Sequence, residues 1–312
     1  MSGIRLGVDL GGTKTEIIAL DEAGRECLRR RVDSPREEYA ATLETIAGLV
    51  AWAEEQLGAP ATVGIGTPGA LSRATGTIKN ANSTWLNGRP LHRDLEARLE
   101  RPVRLANDAN CFALSEAADG AATGAELVFG VIVGTGTGAG VVVDREVRTG
   151  ANAIAGEWGH NPLPWPAAEE VPGPACYCGL NGCIETFLSG PGLMADHERC
   201  TGASRDPEDI VAGAERGERA CEATLRRYEH RMARSLAHVI NVLDPDTIVL
   251  GGGMGNIARL YRTVPELWGR FVFSDRVDTR LVPPRYGDSS GVRGAAWLWG
   301  PEEAAALAGG VS

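Results

Sequence analysis

The sequence has no long run of lysine and arginine, no uninterrupted apolar stretch of membrane-spanning length, and no even set of cysteines. Each absence removes a class of protein. A formal charge of -10 without clustered cations argues against nucleic acid as a partner, because neutralising phosphates takes grouped positive charge. The longest apolar segment, LVFGVIVGTGTGAGVVV, is broken by glycine and threonine and reads as paired strands, not a transmembrane helix. The opening MSGIRLGVDLGGTK sets one arginine before a short apolar run already broken by Asp9. Neither a secretory signal nor a membrane anchor is expected there, and the expected location is cytoplasmic. Seven cysteines, with Cys27, Cys111, Cys200 and Cys221 scattered singly, do not make a disulfide framework in a reducing compartment. The two familiar nucleotide motifs are also poor fits. A P-loop or a Rossmann turn opens a helix, whereas both Gly/Thr clusters here lead into β-branched, strand-like segments.

What is present suits a folded α/β protein. At 312 residues the chain exceeds the usual size of one hydrophobic core, which predicts two domains. Its 41 glycines point to many special backbone turns. Aligning LGVDLGGTKTEIIALDEAG with FGVIVGTGTGAGVVVDREV exposes an internal repeat: an apolar strand, a Gly/Thr turn, and a second apolar strand ending in Asp. Each half predicts a β-hairpin. Such turns hold phosphate when glycine lets backbone N–H groups approach and Thr13, Thr135 and Thr137 add hydroxyl donors; the bland alternative is a tight turn with no ligand. A third segment, DPDTIVLGGGMGN, ends a buried strand in Gly251, Gly252 and Gly253, suited to flat contact with a base or simply to strand–helix packing.

Asp9 sits between Val8 and Leu10 in an otherwise apolar strand, so its carboxylate needs a partner or an ion, either magnesium or a buried cation. Strands and helices alternate along the chain, with helices expected at YAATLETIAGLVAWAEEQLG, LHRDLEARLE, ANCFALSEAADG and ATLRRYEHRMARSLAHVINVL. The stripe Leu225, Tyr228, Met232, Leu236 and Val239 is core or a dimer surface. DSSGVRGAAWLW is expected to return as a helix to the first lobe, and EEAAALAGGVS to be a frayed tail. Between His160 and Glu185 three cysteines crowd together, leaving a redox pair, a disulfide knot, a metal site or a small buried loop open.

Over nearly its whole length the chain resembles the ROK sugar kinases, through DLGGTK (9–14), GTPG (66–69), LANDAN (105–110), GTGTGAG (134–140), GEWGH (156–160), CYCGLNGCIE (176–185) and VLGGG (249–253), in the family's order. Through NANSTWLNG and GEWGHNPLPW it is similar to the bacterial fructokinases that also take mannose. The resemblance implies a two-lobed, actin/hexokinase-like (ribonuclease H-like) ATPase fold. Residues 1–112 with about 298–312 would form the smaller lobe, and 113–297 the larger lobe with a zinc loop. It places Asp9, Gly11, Gly12, Thr13 and Lys14 in a first phosphate loop. Gly134, Thr135, Gly136, Thr137 and Gly138 match a second, and Gly251, Gly252 and Gly253 the adenosine contact. Asn82, Asn107, Asp108, Glu157, His160 and Glu185 match sugar-binding positions, with Asp108 the catalytic base. His160, Cys176, Cys178 and Cys183 match zinc ligands.

The residue types suit those roles. Phosphoryl transfer asks for positioning, charge stabilisation and one group to take the hydroxyl proton, and Asp108 lies between a strand and a helix, where ligands of α/β sheets bind; the alternative is that Asp108 or Asn107 only caps the helix. Three thiolates and one imidazole make a closed, structural Cys3His zinc site. The resemblance thus implies an ATP- and magnesium-dependent hexose kinase acting on a terminal hydroxyl, with closing lobes that exclude water, and a homodimer. Fructose is the expected substrate. Glucose, mannose and N-acetylglucosamine are the alternatives; Trp85 is bulky enough to crowd an N-acetyl group, with core or rim packing the alternative for that ring. A sugar-sensing repressor is disfavoured, since such proteins carry a helix-turn-helix before the phosphate loop.

Overall fold

The computed structural model describes residues 3–309 and divides into two compact units. Residues 1–123, 145–155 and 288–312 form the first, and 124–144 with 156–287 the second. The boundaries expected at 112/113 and 297/298 therefore fall elsewhere. A break after residue 112 would cut through a single continuous helix, which carries its hydrogen bonds to Ala118.

In the first unit β1 (Arg5–Leu10), β2 (Lys14–Leu20), β3 (Glu26–Asp33), α1 (Tyr39–Leu57) and β4 (Thr62–Thr67) come first. A small pair, β5 (Ala70–Leu71) and β6 (Ile78–Lys79), precedes α2 (Leu91–Leu99), β7 (Val103–Asn107) and α3 (Asp108–Ala118). The sheet order is β3-β2-β1-β4-β7, antiparallel in the β1–β2–β3 meander and parallel from β1 to β4 to β7. The β1–β2 pairing is the hairpin expected around the first Gly/Thr turn, with Val8 opposite Ile17. Leu6, Val8, Ile17, Ile65 and Val63 are buried with Ile46, Leu49, Val50 and Ala53, which form one apolar face of α1.

The second unit repeats the opening motif. β8 (Leu127–Val133) and β9 (Thr137–Val143) pair antiparallel, and Val133 faces Thr137 across the turn. After β10 (Glu146–Val147), which belongs to the first unit, come α4 (Glu185–Leu188), α5 (Gly190–Thr201), α6 (Pro207–Glu215), α7 (Arg219–Leu243), β11 (Thr247–Gly251), α8 (Leu260–Trp268) and β12 (Arg280–Val282). β11 runs parallel to both β8 and β12. The stripe Leu225, Tyr228, Met232, Leu236 and Val239 is buried in this unit's core, which decides between the two readings of that face. Each such side chain contributes about 1.5–3 kcal/mol through removal from water.

The chain then returns to the first unit as α9 (Ser290–Trp297) and α10 (Pro301–Gly309). α9 lies directly on β1 and β4 because Gly7 and Gly64 have no side chain: a Cβ there would come within 2.2 Å of the Val292 carbonyl and 1.9 Å of the Ala295 carbonyl. Trp299 locks the return by donating its indole N–H to the Val63 carbonyl at 2.8 Å. The tail expected to fray is helical through Gly309, with Glu303 accepting from Arg104 at 2.9 Å; residues 310–312 of that expectation lie outside the described residues. Alanine-rich sequence with two acids in the first turn favours such a helix once its start is anchored.

Candidate active site

Asp9 stands near the end of β1, beside Gly66 of β4 in the register. A Cβ at Gly66 or at Gly291 would lie 3.6 Å from its carboxylate, within ordinary van der Waals contact, so both glycines border the carboxylate. Among the described residues the carboxylate has no hydrogen-bond partner. Desolvation raises its pKa to about 7, reinforced by the charges of Asp108 and Glu16 and opposed by Arg31. The turn after it, Gly11 to Lys14, is closed by the Gly11 N–H donating to the Lys14 carbonyl at 3.0 Å. Ser34, which sequence reasoning passed over, holds it from below: its hydroxyl donates to the Gly11 carbonyl at 2.8 Å, and its N–H to the Thr13 carbonyl at 2.9 Å. Gly12, Thr13 and Lys14 are exposed, and Lys14 pairs with Asp33.

Asp108 is the first residue of α3, immediately after β7. The capping role falls to Asn107, whose side-chain oxygen accepts from the Asn110 N–H at 2.9 Å and whose amide donates to Asp108 Oδ1 at 3.0 Å. Asp108 is open to solvent, yet the surrounding protein raises its pKa by desolvation, against the lowering effect of backbone hydrogen bonds from Ala109 and its own N–H. Asn82 is exposed on a loop clamped by Asn87, which accepts from the Ala81 N–H and donates to the Ala81 carbonyl, both at 2.9 Å. Trp85 is partly buried against the first unit's core, the packing alternative for that ring.

In the second unit the four expected metal ligands come together. The ligand atoms of His160, Cys176, Cys178 and Cys183 all lie within 4.8 Å of one another. Cys178 and Cys183 sulfurs are 3.6 Å apart, and Cys176 Sγ is 3.5 Å from His160 Nδ1. Tetrahedral coordination at about 2.3 Å for sulfur and about 2.0 Å for nitrogen puts ligand atoms roughly 3.5–3.8 Å apart, so the donor set fits zinc. All three cysteines are free, which removes the disulfide knot. Burial and the neighbouring thiols push Cys183 up to about 12, a cost that a bound dication would offset. His160 turns its other nitrogen, Nε2, to the Tyr177 hydroxyl at 2.9 Å. Such an outer contact orients a ligating imidazole. Nothing in the spacing singled out Tyr177, because its part depends on a side-chain direction.

The Pro-rich spacer between His160 and Cys176 is anchored from below. Glu170, 7% exposed, accepts from Arg231 Nε at 2.7 Å and from Arg234 Nη2 at 2.8 Å. Burial favours its neutral form, but hydrogen bonds from Arg231, Ala167 and Arg234 outweigh that and hold its pKa below the usual value. Glu157 precedes the short turn Trp158–His160, and Glu185 opens α4 two residues after Cys183. Beside the second turn a cavity of about 630 Å³ is walled by Pro191, Met194, Pro207, Val211, Met254 and Ile257, with Gly134, Thr135 and Gly253 at its edge. Its size and apolar lining suit a purine. Of the three glycines expected at an adenosine contact only Gly253 lines it. Gly251 is buried at the end of β11, and Gly252, at φ 78°, packs on the Val133 carbonyl.

A model of the ROK family matches residues 5–302. The chain belongs to the ROK family. It is 39% identical to an N-acetyl-D-glucosamine kinase of Salmonella paratyphi B over 296 residues, 94% of this chain and 98% of that protein. An N-acetyl-D-glucosamine kinase of Vibrio cholerae serotype O1 matches at the same identity and coverage. Among solved structures, a ROK hexokinase from Thermus thermophilus superposes with a TM-score of 0.84 at 32% identity, covering 95% of this chain and 97% of that one. A ROK glucokinase from Streptomyces griseus, solved with glucose and AMPPNP, gives 0.74 at 28% identity, over 95% and 99%. The actin/hexokinase-like ROK fold expected from the motifs is therefore the one present. Among the described residues no helix is long and apolar enough to cross a membrane.

Proposed function

We propose that this ROK protein is an ATP-dependent sugar kinase whose substrate is an N-acetylhexosamine, N-acetyl-D-glucosamine first among them. The observation that carries the substrate is similarity over 94% of the chain to N-acetyl-D-glucosamine kinases at 39–40% identity. This favours one of the alternatives read from the sequence over fructose. The objection from Trp85 also weakens, since that ring is partly buried against the first unit's core.

In this reading Asp108 takes the proton of the sugar's terminal hydroxyl as its oxygen bonds to the γ-phosphorus, the bond to the bridging oxygen breaks, and ADP leaves. The solvent-open carboxyl at the head of α3, with Asn107 fixing both cap and carboxylate, is the arrangement that supports it. Asn82, Asn107, Glu157, His160 and Glu185 are assigned to the sugar hydroxyls, whose mixed donor and acceptor character calls for carboxylates and amides. Gly11 to Lys14 and Gly134 to Gly138 are assigned to phosphate, and the 630 Å³ cavity beside Gly253 to the base. Magnesium, when bound with the nucleotide, supplies positive charge for the phosphates, and the unpartnered Asp9 carboxylate is the residue suited to face it. Zinc on His160, Cys176, Cys178 and Cys183 would be structural, with no open position for water.

The test is ADP release with ATP and magnesium over a panel of hexoses. N-acetyl-D-glucosamine is expected to lead glucose, mannose and fructose by roughly tenfold or more in kcat/KM, about the discrimination available from one well-fitted group. Fructose leading the panel would restore the other substrate. A panel with no turnover would remove the kinase reading.

A further inference from the structure

Glu185 touches the turn between β8 and β9. Its Oε2 accepts the backbone N–H of Thr137 at 2.8 Å, a charge-assisted bond to the first residue of β9. A Cβ at Gly136 would lie 2.8 Å from that same oxygen, so the carboxylate fills the space a side chain there would need. Gly136 has no positive φ, so its lack of a side chain answers to this contact and not to backbone conformation. The turn is braced on two other sides: the Gly134 N–H donates to the Gly136 carbonyl at 2.9 Å, and the Gly190 N–H to the Gly134 carbonyl at 2.8 Å. The Thr137 hydroxyl is buried and has no hydrogen-bond partner among the described residues.

We propose that Glu185 is a positioning residue for the nucleotide as well as a sugar ligand: it holds the Gly134–Gly138 turn in the shape that receives phosphate. One carboxylate oxygen is committed to Thr137, which leaves the other to meet a sugar hydroxyl. A single side chain thereby joins sugar recognition to the shape of the phosphate turn, and through Cys183 the same segment is tied to the metal cluster. The proposal rests on the reading of Gly134–Gly138 as a phosphate loop.

The experiment measures binding of a fluorescent ATP analogue, with magnesium and without sugar, to the full chain and four variants, with zinc content and thermal midpoint checked for each. Glu185→Ala is expected to weaken the analogue roughly 10-fold or more, the usual effect of deleting a hydrogen bond to a charged group. Glu185→Gln, whose amide oxygen still accepts from Thr137, should bind it within about threefold of wild type while its KM for sugar stays raised. Gly136→Ala should weaken the analogue in wild type and have little added effect in the Glu185→Ala background, where the collision is gone. Analogue binding by folded Glu185→Ala equal to wild type overturns the proposal, as does equal weakening by Ala and Gln. Wild-type protein that binds no analogue overturns the phosphate-loop reading and this proposal with it.

Discussion

Replacing Asp9 with asparagine should stabilise the ligand-free protein at neutral and alkaline pH and abolish its catalytic value. The carboxyl is held at about 7 against an ordinary 3.8, with desolvation the largest cause and the charges of Asp108 and Glu16 adding to it. Below pH 4 the folded and unfolded chains both carry the proton, and Asp9 makes no difference. Between pH 4 and 7 the unfolded chain releases it while the folded chain keeps it, so stability falls as pH rises. Above pH 7 the whole penalty is present, and at 1.36 kcal/mol per pH unit it reaches a ceiling of about 4 kcal/mol. Asparagine carries no such charge and loses no hydrogen bond, because the carboxylate makes none among the described residues. Urea unfolding of both proteins in magnesium-free buffer should therefore show a gap in favour of Asp9→Asn that is small at pH 4.5 and widens to roughly 2–4 kcal/mol at pH 8. Turnover should fall about 100-fold or more, the scale of losing one preorganised electrostatic contact. An Asp9→Asn advantage that is absent, or the same at both pH values, would refute the reasoning, since only the proton makes the difference pH-dependent.

Asp108→Asn should cut kcat by about 100-fold to 10,000-fold with sugar affinity, measured calorimetrically, changed far less; near-normal kcat would take the base away from Asp108. Glu170→Ala leaves Arg231 and Arg234, 2% and 8% exposed, without their shared carboxylate. A loss of about 3–5 kcal/mol in chemical denaturation is expected, and a loss under about 1 kcal/mol would show that the pair is not truly desolvated. Because Glu170 has a pKa lowered from an ordinary 4.5, its contribution is present above that value and disappears as the pH falls through the folded-state value. Tyr177→Phe removes the partner of His160 Nε2, and zinc release to a colorimetric chelator should speed up about 10-fold to 100-fold; unchanged release would mean the ring is held by its thiolate side alone.

How far these features could be read in the linear chain depended on the range of the interaction behind them. Asp9, Asp108 and the two hairpins are local: an acid in an apolar run, an acid between a strand and a helix, a Gly/Thr turn between β-branched segments. The metal cluster was legible because Cys176, Cys178 and Cys183 lie within eight residues and only His160 had to be brought to them. Ser34 beneath the first turn, Asn87 clamping Ala81 and the apolar wall of the base cavity could not be read so. Each is an ordinary residue made significant by what folds against it. The helix Pro301–Gly309 was missed because its alanine-rich sequence resembles a loose end until Arg104 meets Glu303.

The order of motifs, the alternation of strands and helices, and the chemistry of each donor group were determined by the sequence alone, since these follow from residue type and short spacing. The tertiary structure decided which of those groups meet. It put Gly7 and Gly64 under α9, aimed His160 Nε2 at Tyr177, and set the Glu185 carboxylate on the Thr137 amide. Such contacts join residues tens to hundreds of positions apart, and their geometry exists only once the cores between them have packed.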